Sequence, residues 1–236
     1  MRTDGRLADE LRPLDFTPDY SRYADGSVMV EMGDTRVLTT AMVESQVPQH
    51  CLEENIGWVS AEYRMLPSSN PDRQSLNRPP GGRSREIQRL IGRSLRAAVD
   101  LSRFQNRTIW IDCTVIQADG GTRTAAVNGG FVALVSALQQ MKERDDIDRV
   151  PLQNGICAVS VGKVETALLL DLCADEDKRA EVDMNVVMNH EGELVEVQGT
   201  AEGQPFPREE LDGLVDLAQE AVPELRDGQL QVTGEL

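Results

Sequence analysis

The sequence QADGGTRTAAVNGG, residues 117–130, lies between a stretch rich in β-branched residues and a long helical pattern. The preceding stretch, TIWIDCTVIQ (108–117), alternates apolar side chains and predicts a strand. The residues on its apolar face are Ile109, Ile111, Cys113 and Val115. The following stretch, 122–144, is small and apolar and predicts a buried helix. A strand, a glycine turn and a helix start direct backbone N–H groups and the positive end of the helix dipole at an anion.

The residues of this turn suit an anion such as phosphate. Gly120 and Gly121 allow the backbone to approach a ligand closely, and Thr122 can cap the helix and offer a hydroxyl. Arg123 falls in the first helical turn, where the dipole disfavours a cation unless an anion shares the site. The alternative is an ordinary turn with a capping threonine. The segment matches neither the Walker loop nor the GxGxxG fingerprint.

A second glycine pair followed by arginine occurs at PPGGR, residues 79–83. Arg83 is expected just before a helix that Ser84 would cap. Two such helix starts suggest the two walls of one phosphate pocket, whereas the alternative is a flexible loop end.

An acidic pair, Asp177 and Asp183, forms the third candidate. Asp177 is expected in a charged loop and Asp183 at the start of a strand. Two carboxylates near a phosphate site could hold Mg²⁺, or one could act as a general acid toward a leaving oxygen. The alternative is a solvated charged loop.

The charge distribution favours a polyanionic partner despite a net charge of −16. Residues 58–123 hold eleven arginines against six acidic residues, a local charge of +5, and the acidic excess lies on either side. A predicted helix from residue 84 carries apolar residues on one face and arginines on much of the rest. That basic face either meets a polyanion or is merely solvated.

Strand groups followed by helices, twice, predict an α+β chain of two related β/α halves in one compact domain. We expect a single domain over residues 1–236, with a core at about 5–222 and a C-terminal tail at 223–236. No apolar run approaches the ~20 residues of a membrane span and no signal sequence follows Met1, so we expect a cytoplasmic protein with no membrane partner. Cys113, Cys157 and Cys173 are expected to be buried.

Several long motifs together resemble the bacterial ribonuclease PH family, over nearly the whole chain. They are GDTRVLTTAMVE, GWVSAEYRMLP, GGRSREIQRLIGRSLRAAVDL, IDCTVIQADGGTRTAAVNGGFVAL and DMNVVMNHEGELVEVQGTAEGQPF. The resemblance implies a fold like domain 2 of ribosomal protein S5, with mixed sheets packed against helices. It also implies a hexameric ring built as a trimer of dimers.

The activity that the resemblance implies is phosphate-dependent 3′-to-5′ exoribonucleolysis. Inorganic phosphate is the co-substrate, Mg²⁺ the expected metal, and the substrates are tRNA precursors trimmed beyond the CCA end and other RNA 3′ ends. The family's phosphate-binding positions match Arg83, Gly121, Thr122 and Arg123, and its catalytic and metal-binding acids match Asp177 and Asp183. The family region that handles RNA or builds the ring corresponds to a loop and a basic helix face with several arginines, of which we expect Arg73, Arg78, Arg89 and Arg93 to bind RNA. Which arginines of this region bind RNA and which build the ring is left open by the resemblance. The rival functions are a hydrolytic metal-dependent nuclease and a catalytically silent RNA-binding ring subunit.

Two departures from the family pattern stand out. The loop between Pro67 and Gly81 is about three residues shorter than usual, which bears on RNA contacts rather than on the chemistry. The family's TASITGA is here TAAVNGG, which places Asn128 and Gly130 inside the helix that follows the glycine turn. Glycine costs ~1 kcal/mol inside a helix, so either close packing compensates there or the helix bends.

Overall fold

The computed structural model describes residues 2–73, 75 and 81–234. The first half forms a five-stranded sheet. Its strands are β1 (Leu14–Pro18), β2 (Gly26–Met32), β3 (Thr35–Glu44), β4 (Trp58–Met65) and β5 (Thr108–Gln117). Their spatial order is β1-β2-β3-β5-β4, and every pair is antiparallel except β4 with β5.

The second half forms a four-stranded antiparallel sheet. Its strands are β6 (Ile156–Val164), β7 (Ala167–Leu170), β8 (Val182–Asn189) and β9 (Leu194–Ala201), in the order β7-β6-β8-β9. The helices are α1 (Gln49–Glu54), α2 (Gly82–Arg96), α3 (Thr122–Glu143), α4 (Ala174–Asp177), α5 (Arg208–Glu220) and α6 (Val222–Thr233). A short 3₁₀ turn spans Leu101–Arg103. The predicted α+β class is therefore confirmed.

Helix α3 is the central element, because it packs against strands of both sheets. Its small and apolar residues are buried on all sides, as the sequence predicted, and one hydrophobic cluster runs through both halves of the chain. The four apolar residues on one face of β5 are buried in the same cluster, and all four cysteines are buried and free.

The glycine pair inside α3 marks close contact with neighbouring elements. A Cβ at Gly129 would lie 2.5 Å from Val30 Cγ2, and one at Gly130 would lie 3.0 Å from Leu95 Cδ1. The sequence-based expectation of close packing is confirmed, since a larger residue at either position would push β2 or α2 away.

Asn128 joins α3 to the second sheet. The first residues of β6 pair with β8 on one side only, because β7 begins its pairing at Val161. Asn128 Nδ2 donates to Ala158 O (2.9 Å), and Asn128 Oδ1 accepts from Ala158 N–H (2.8 Å), as a neighbouring strand would. Gln229 Nε2 donates to Ile156 O (3.0 Å) beside it. These two fully buried amides satisfy backbone groups that would otherwise be orphaned.

The expectation of a C-terminal tail from residue 223 is wrong. Val222–Thr233 forms α6, which packs on α3, β1 and β6 and buries Leu225 and Gln229 completely. A Cβ at Gly228 would lie 3.2 Å from Phe16 Cε2, so the glycine permits close approach to β1. The core therefore extends past residue 222. Among the described residues, no helix is both long and apolar enough to cross a bilayer.

Candidate active site

One cavity of about 450 Å³ lies where β4, the starts of α2 and α3, the short helix α4 and the central strands β6 and β8 of the second sheet meet. All six of the predicted phosphate-binding and acidic residues line it. They are Arg83, Gly121, Thr122, Arg123, Asp177 and Asp183. Residues far apart in sequence thus converge on a space large enough for phosphate and a terminal nucleotide.

The start of α3 forms one wall. Gly120 (φ 76°) and Gly121 (φ 63°) are both left-handed, a conformation that glycine adopts at little cost. A Cβ at Gly120 would also collide with the carbonyl oxygen of Leu172. The helix N-cap is Gly121 and not Thr122, and no side chain in the described structure caps this end. Its first N–H groups therefore face the cavity without a protein acceptor from a capping side chain.

Thr122 is the first residue of the helix, so the expectation that it caps α3 is wrong. Its hydroxyl oxygen accepts a hydrogen bond from Tyr63 Oη (2.8 Å), and Tyr63 is almost completely buried. The tyrosine fixes the hydroxyl from β4. Because burial raises the pKa of Tyr63, its phenol stays protonated and able to donate.

Arg123 is held in place from two sides. Its Nη1 donates to Gln198 Oε1 (3.1 Å) on β9 and lies 3.6 Å from Glu86 Oε1 on α2. Gln198 Nε2 in turn donates to Glu86 Oε1 (2.6 Å). The guanidinium is thus oriented before any ligand arrives, which is the arrangement that electrostatic stabilisation requires.

The start of α2 forms the facing wall and differs from the expectation. The helix begins at Gly82 after an N-cap at Gly81, so Arg83 lies inside the first turn and Ser84 is not the cap. Arg83 and both glycines are exposed. No side chain in the described ranges caps this end either.

The two acidic residues approach the cavity from the second sheet. Asp183 is the second residue of β8, and Asp177 ends the short helix α4 rather than lying in a loop. Burial, and then the charge of Asp177, raise the pKa of Asp183 to about 6, against the opposing effect of Arg123 and Arg83. The charge of Asp177 therefore acts on a partly buried Asp183, and the site penalises a second negative charge.

A divalent cation fits this pair. No cluster of three or more metal-ligating side chains occurs in the described parts of the chain. Mg²⁺ commonly takes one or two carboxylates and completes its shell with water and substrate phosphate. The repulsion between Asp177 and Asp183, which Arg123 and Arg83 offset only in part, is the feature that a cation would relieve.

The cavity also contains residues that the sequence argument did not single out. Asn185 lies two positions after Asp183 on β8 and shares its face of the strand, and Lys178 follows Asp177. Ser160 on β6 and Tyr63 on β4 also line the cavity. The period-2 alternation of a strand was the signal that could have identified Asn185.

Three of the arginines predicted to bind RNA, Arg73, Arg89 and Arg93, lie outside the cavity lining. Arg73 and Arg89 are exposed, while Arg93 forms a bidentate ion pair with Glu196 on β9. Arg78 falls outside the described residues. Arg96, also on α2, stacks over Trp58 (4.3 Å to the ring centroid) and donates to Val59 O, so it stabilises the fold.

Comparison with known proteins agrees with this geometry. Residues 10–138 match the model of domain 1 of the 3′ exoribonuclease family, and residues 154–221 match domain 2. The chain is 50% identical to the ribonuclease PH of Moorella thermoacetica over 239 aligned positions, which cover 100% of this chain and 96% of that protein.

Solved structures share the fold at lower identity. Rice (Oryza sativa) Rrp46 superposes with a TM-score of 0.81 at 19% identity, covering 98% of this chain and 100% of that one. The Archaeoglobus fulgidus exosome with RNA bound to its active site gives a TM-score of 0.81 at 22% identity, with 96% and 91% covered. An archaeal exosome core gives 0.76 at 21% identity, with 97% and 90% covered.

The predicted activity, phosphate-dependent 3′ exoribonucleolysis, is confirmed by the full-length similarity, which does not favour a hydrolytic nuclease or a silent subunit. The fold, the converging residues and both family matches lead to one assignment: the chain belongs to the ribonuclease PH family of 3′ exoribonucleases.

Proposed function

We propose that the cavity between the starts of α2 and α3 binds the phosphate that attacks the RNA, and that its natural substrates are tRNA precursors. The observation that carries the proposal is the convergence of two glycine–arginine helix starts and two carboxylates on one space. Phosphate lies between Arg83, the N–H groups that follow Gly121, and the Arg123 guanidinium. Thr122 contributes its hydroxyl.

Phosphorolysis proceeds by in-line displacement at the terminal phosphodiester. An oxygen of phosphate forms a bond to the terminal phosphorus while the bond to the 3′-oxygen of the preceding nucleotide breaks. The departing residue leaves as a nucleoside diphosphate, and the 3′-oxygen of the shortened RNA takes up a proton. Positioning and charge neutralisation do most of the work in such a transfer.

The carboxylates act on the leaving side. Asp183, whose pKa is raised to about 6, can hold the proton that the leaving 3′-oxygen takes up, or it can serve as a ligand with Asp177. Mg²⁺ bound by Asp177 and Asp183 would supply positive charge beside the reacting phosphoryl group. Because one phosphate linkage replaces another, the reaction is reversible and adds nucleotides from diphosphates.

The assembly and RNA path extend the proposal. We propose a hexameric ring, a trimer of dimers, in the cytoplasm, with the chain acting as one domain. The exposed Arg73 and Arg89, together with Arg78, would meet the RNA backbone, and Arg93 would do so by exchanging Glu196 for phosphate. The similarity in fold to exosome structures supports an assembly of this kind. Light scattering should give the mass of six chains, and a monomer would contradict the ring.

The substrate claim is tested with a tRNA carrying extra nucleotides beyond CCA. With phosphate present, we expect stepwise shortening that stops at the CCA end. Omitting phosphate should stop the shortening, and Arg144→Ala, an exposed substitution just after α3 on the side away from the cavity, should trim normally. Shortening at equal rates with and without phosphate would contradict the proposal.

A further inference from the structure

The N-terminal segment places a buried arginine directly behind the phosphate turn. Arg12 is 4% exposed and meets the fully buried carboxylate of Asp171. Its Nε and Nη2 donate to the two Asp171 oxygens (2.9 and 2.7 Å), and its backbone N–H donates to Oδ2 (2.9 Å). Three donors from one residue thus satisfy a carboxylate that water does not reach.

The same guanidinium also contacts the turn. Its Nη1 donates to the carbonyl oxygen of Asp119, and its Nη2 lies 3.5 Å from the carbonyl oxygen of Gly120. These are the two carbonyls immediately before Gly121, the N-cap of α3. The Arg12 stem packs over Gly33, where a Cβ would lie 2.6 Å from Arg12 Cδ. Arg12 therefore links Asp171 to the backbone that orients the phosphate-binding N–H groups.

Asp171 marks the other end of this link. It has a left-handed backbone (φ 51°), which is uncommon for a residue other than glycine and persists only where the surroundings enforce it. Leu172 and Ala174, which follow it, line the cavity, and α4 then ends at Asp177. Ala174 N–H donates back to Asp119 Oδ1 (3.3 Å). The approach to α4, residues 171–174, is therefore linked to the phosphate turn twice, once through Arg12 and once through this hydrogen bond.

A second buried pair supports α4 from behind. Arg2 donates through Nε and Nη2 to the fully buried carboxylate of Glu176 (both 2.8 Å) and through Nη2 to Asp171 O (2.9 Å). Glu176 precedes Asp177 directly. The N-terminal residues thus fix the acidic side of the cavity as well as the phosphate side.

Stabilisation alone does not account for the arrangement of Arg12. Buried ion pairs are often no better for stability than apolar residues of the same volume. Here the guanidinium directs N–H groups to the turn carbonyls in addition to its partner carboxylate. Arg12 is placed to fix the orientation of the phosphate turn. Such an orientation matters because a displacement of about 1 Å at a reacting site can lower the rate ~10²-fold.

We propose that Arg12, anchored by Asp171, is a positioning residue that sets the phosphate turn at Asp119–Gly121 against the approach to α4. The proposal rests on the phosphate site proposed above. Arg12 touches no substrate. It acts through the orientation of the N–H groups after Gly121, so its loss should weaken phosphate binding more than RNA binding.

The test measures KM for phosphate and KM for RNA in the full-length protein. Arg12→Lys keeps a cation for Asp171, but one ammonium cannot span both the carboxylate and the turn carbonyls. We expect Arg12→Lys to fold and to raise KM for phosphate about tenfold or more, with KM for RNA within about twofold. Asp171→Asn should do the same by loosening the anchor. The double variant should be little worse than either single one, since the two act as a unit.

Lys163→Met provides the control. It removes an ion pair with Glu210 (2.7 Å) between β6 and α5, away from the cavity lining, so it should change thermal stability without changing KM for phosphate. Wild-type KM for phosphate in folded Arg12→Lys and Asp171→Asn would overturn the positioning role. Arg123→Ala separates the two claims. If Arg123→Ala loses phosphate-dependent activity while the Arg12 and Asp171 variants keep a normal KM for phosphate, only the positioning role is contradicted. If Arg123→Ala keeps full activity, the phosphate site is contradicted as well.

Discussion

The two helix starts on opposite sides of the cavity share a short pattern, a glycine pair followed within two residues by arginine. Their local structures nevertheless differ. The start of α3 has two left-handed glycines, an arginine held by Gln198 and Glu86, and a supporting arginine behind it. The start of α2 is exposed, neither of its glycines is left-handed, and a Cβ at either would meet no described atom within 4 Å. One wall is therefore preorganised, whereas the other offers its arginine from the surface.

This difference indicates unequal contributions to catalysis. Preorganised charges stabilise a transition state because they need no reorganisation at the moment of reaction. We expect the α3 side to dominate the chemistry and the α2 side to contribute charge.

Substitution of the two arginines should have the largest effect on activity. Arg123→Ala should lower kcat/KM for phosphate at least ~10²-fold, as loss of a fixed electrostatic stabiliser does elsewhere. Arg83→Ala should cost about tenfold, because its exposed charge is screened by solvent. Phosphorolysis rates across a range of phosphate concentrations measure both. Equal losses in the two variants would show that the two walls are equivalent.

Substitution of a glycine at each helix start should give a smaller difference, in the stability of the fold. Gly120→Ala places a side chain at φ 76° and against Leu172 O, so it should destabilise the fold by about 2 kcal/mol or more and lower activity about tenfold. Gly82→Ala lies in a helical turn with open space around it and should stabilise the fold by about 0.5–1 kcal/mol. Thermal or urea unfolding of both variants measures this difference. A destabilised Gly82→Ala would mean that the start of α2 is as constrained as that of α3.

The smallest expected difference between the two helix starts is in the effect of their arginines on Asp183, whose pKa both arginines lower. Its pKa is nevertheless raised from 3.8 to about 6. This shift corresponds to a change of at most about 3 kcal/mol in the free energy of unfolding, and of about 1–2 kcal/mol after solvent screening of the half-buried group. A raised pKa means that the folded protein binds the proton more tightly, so stability falls as pH rises from about 4 to 6. Asp183→Asn should remove that loss.

Unfolding at several pH values, without phosphate and with a chelator, checks the sign. The free energy of unfolding of Asp183→Asn should equal that of the parent protein at pH 4 and exceed it by about 1–2 kcal/mol above pH 6. The gain should grow in an Arg123→Ala background, because Arg123 lowers the Asp183 pKa more than Arg83 does. Asp212→Asn, an exposed change on α5, is the control. A gain that appears at pH 4 and vanishes above pH 6 would contradict the assignment.

The sequence predicted the parts of the molecule that follow local rules. Alternating apolar side chains identified β5, and the run of small and apolar residues after the glycine turn identified the buried helix α3. Glycine followed by arginine at a helix start identified both walls, since the dipole and sterics at a helix terminus are local properties.

The features that were missed depend on contacts distant in sequence. The N-terminal segment is polar and gave no sign that Arg12 would be buried against Asp171, 159 residues away. The sequence predicts a tail where helix α6 forms, because Pro223, Gly228 and the polar residues of this segment obscure the helical period. The helix is stabilised by its packing on α3 and β1, which the sequence pattern does not show. Thr122 was expected to cap α3, whereas the left-handed Gly121 takes that position.

The most direct test of the phosphate site follows the fate of labelled phosphate. The protein is incubated with a short RNA and ³²P-labelled phosphate, and the released nucleotides are separated. The proposed displacement predicts that the label appears in the β-phosphoryl group of nucleoside diphosphates, and that Arg123→Ala reduces this product at least ~10²-fold. Unlabelled nucleoside monophosphates, or full labelling by Arg123→Ala, would contradict it.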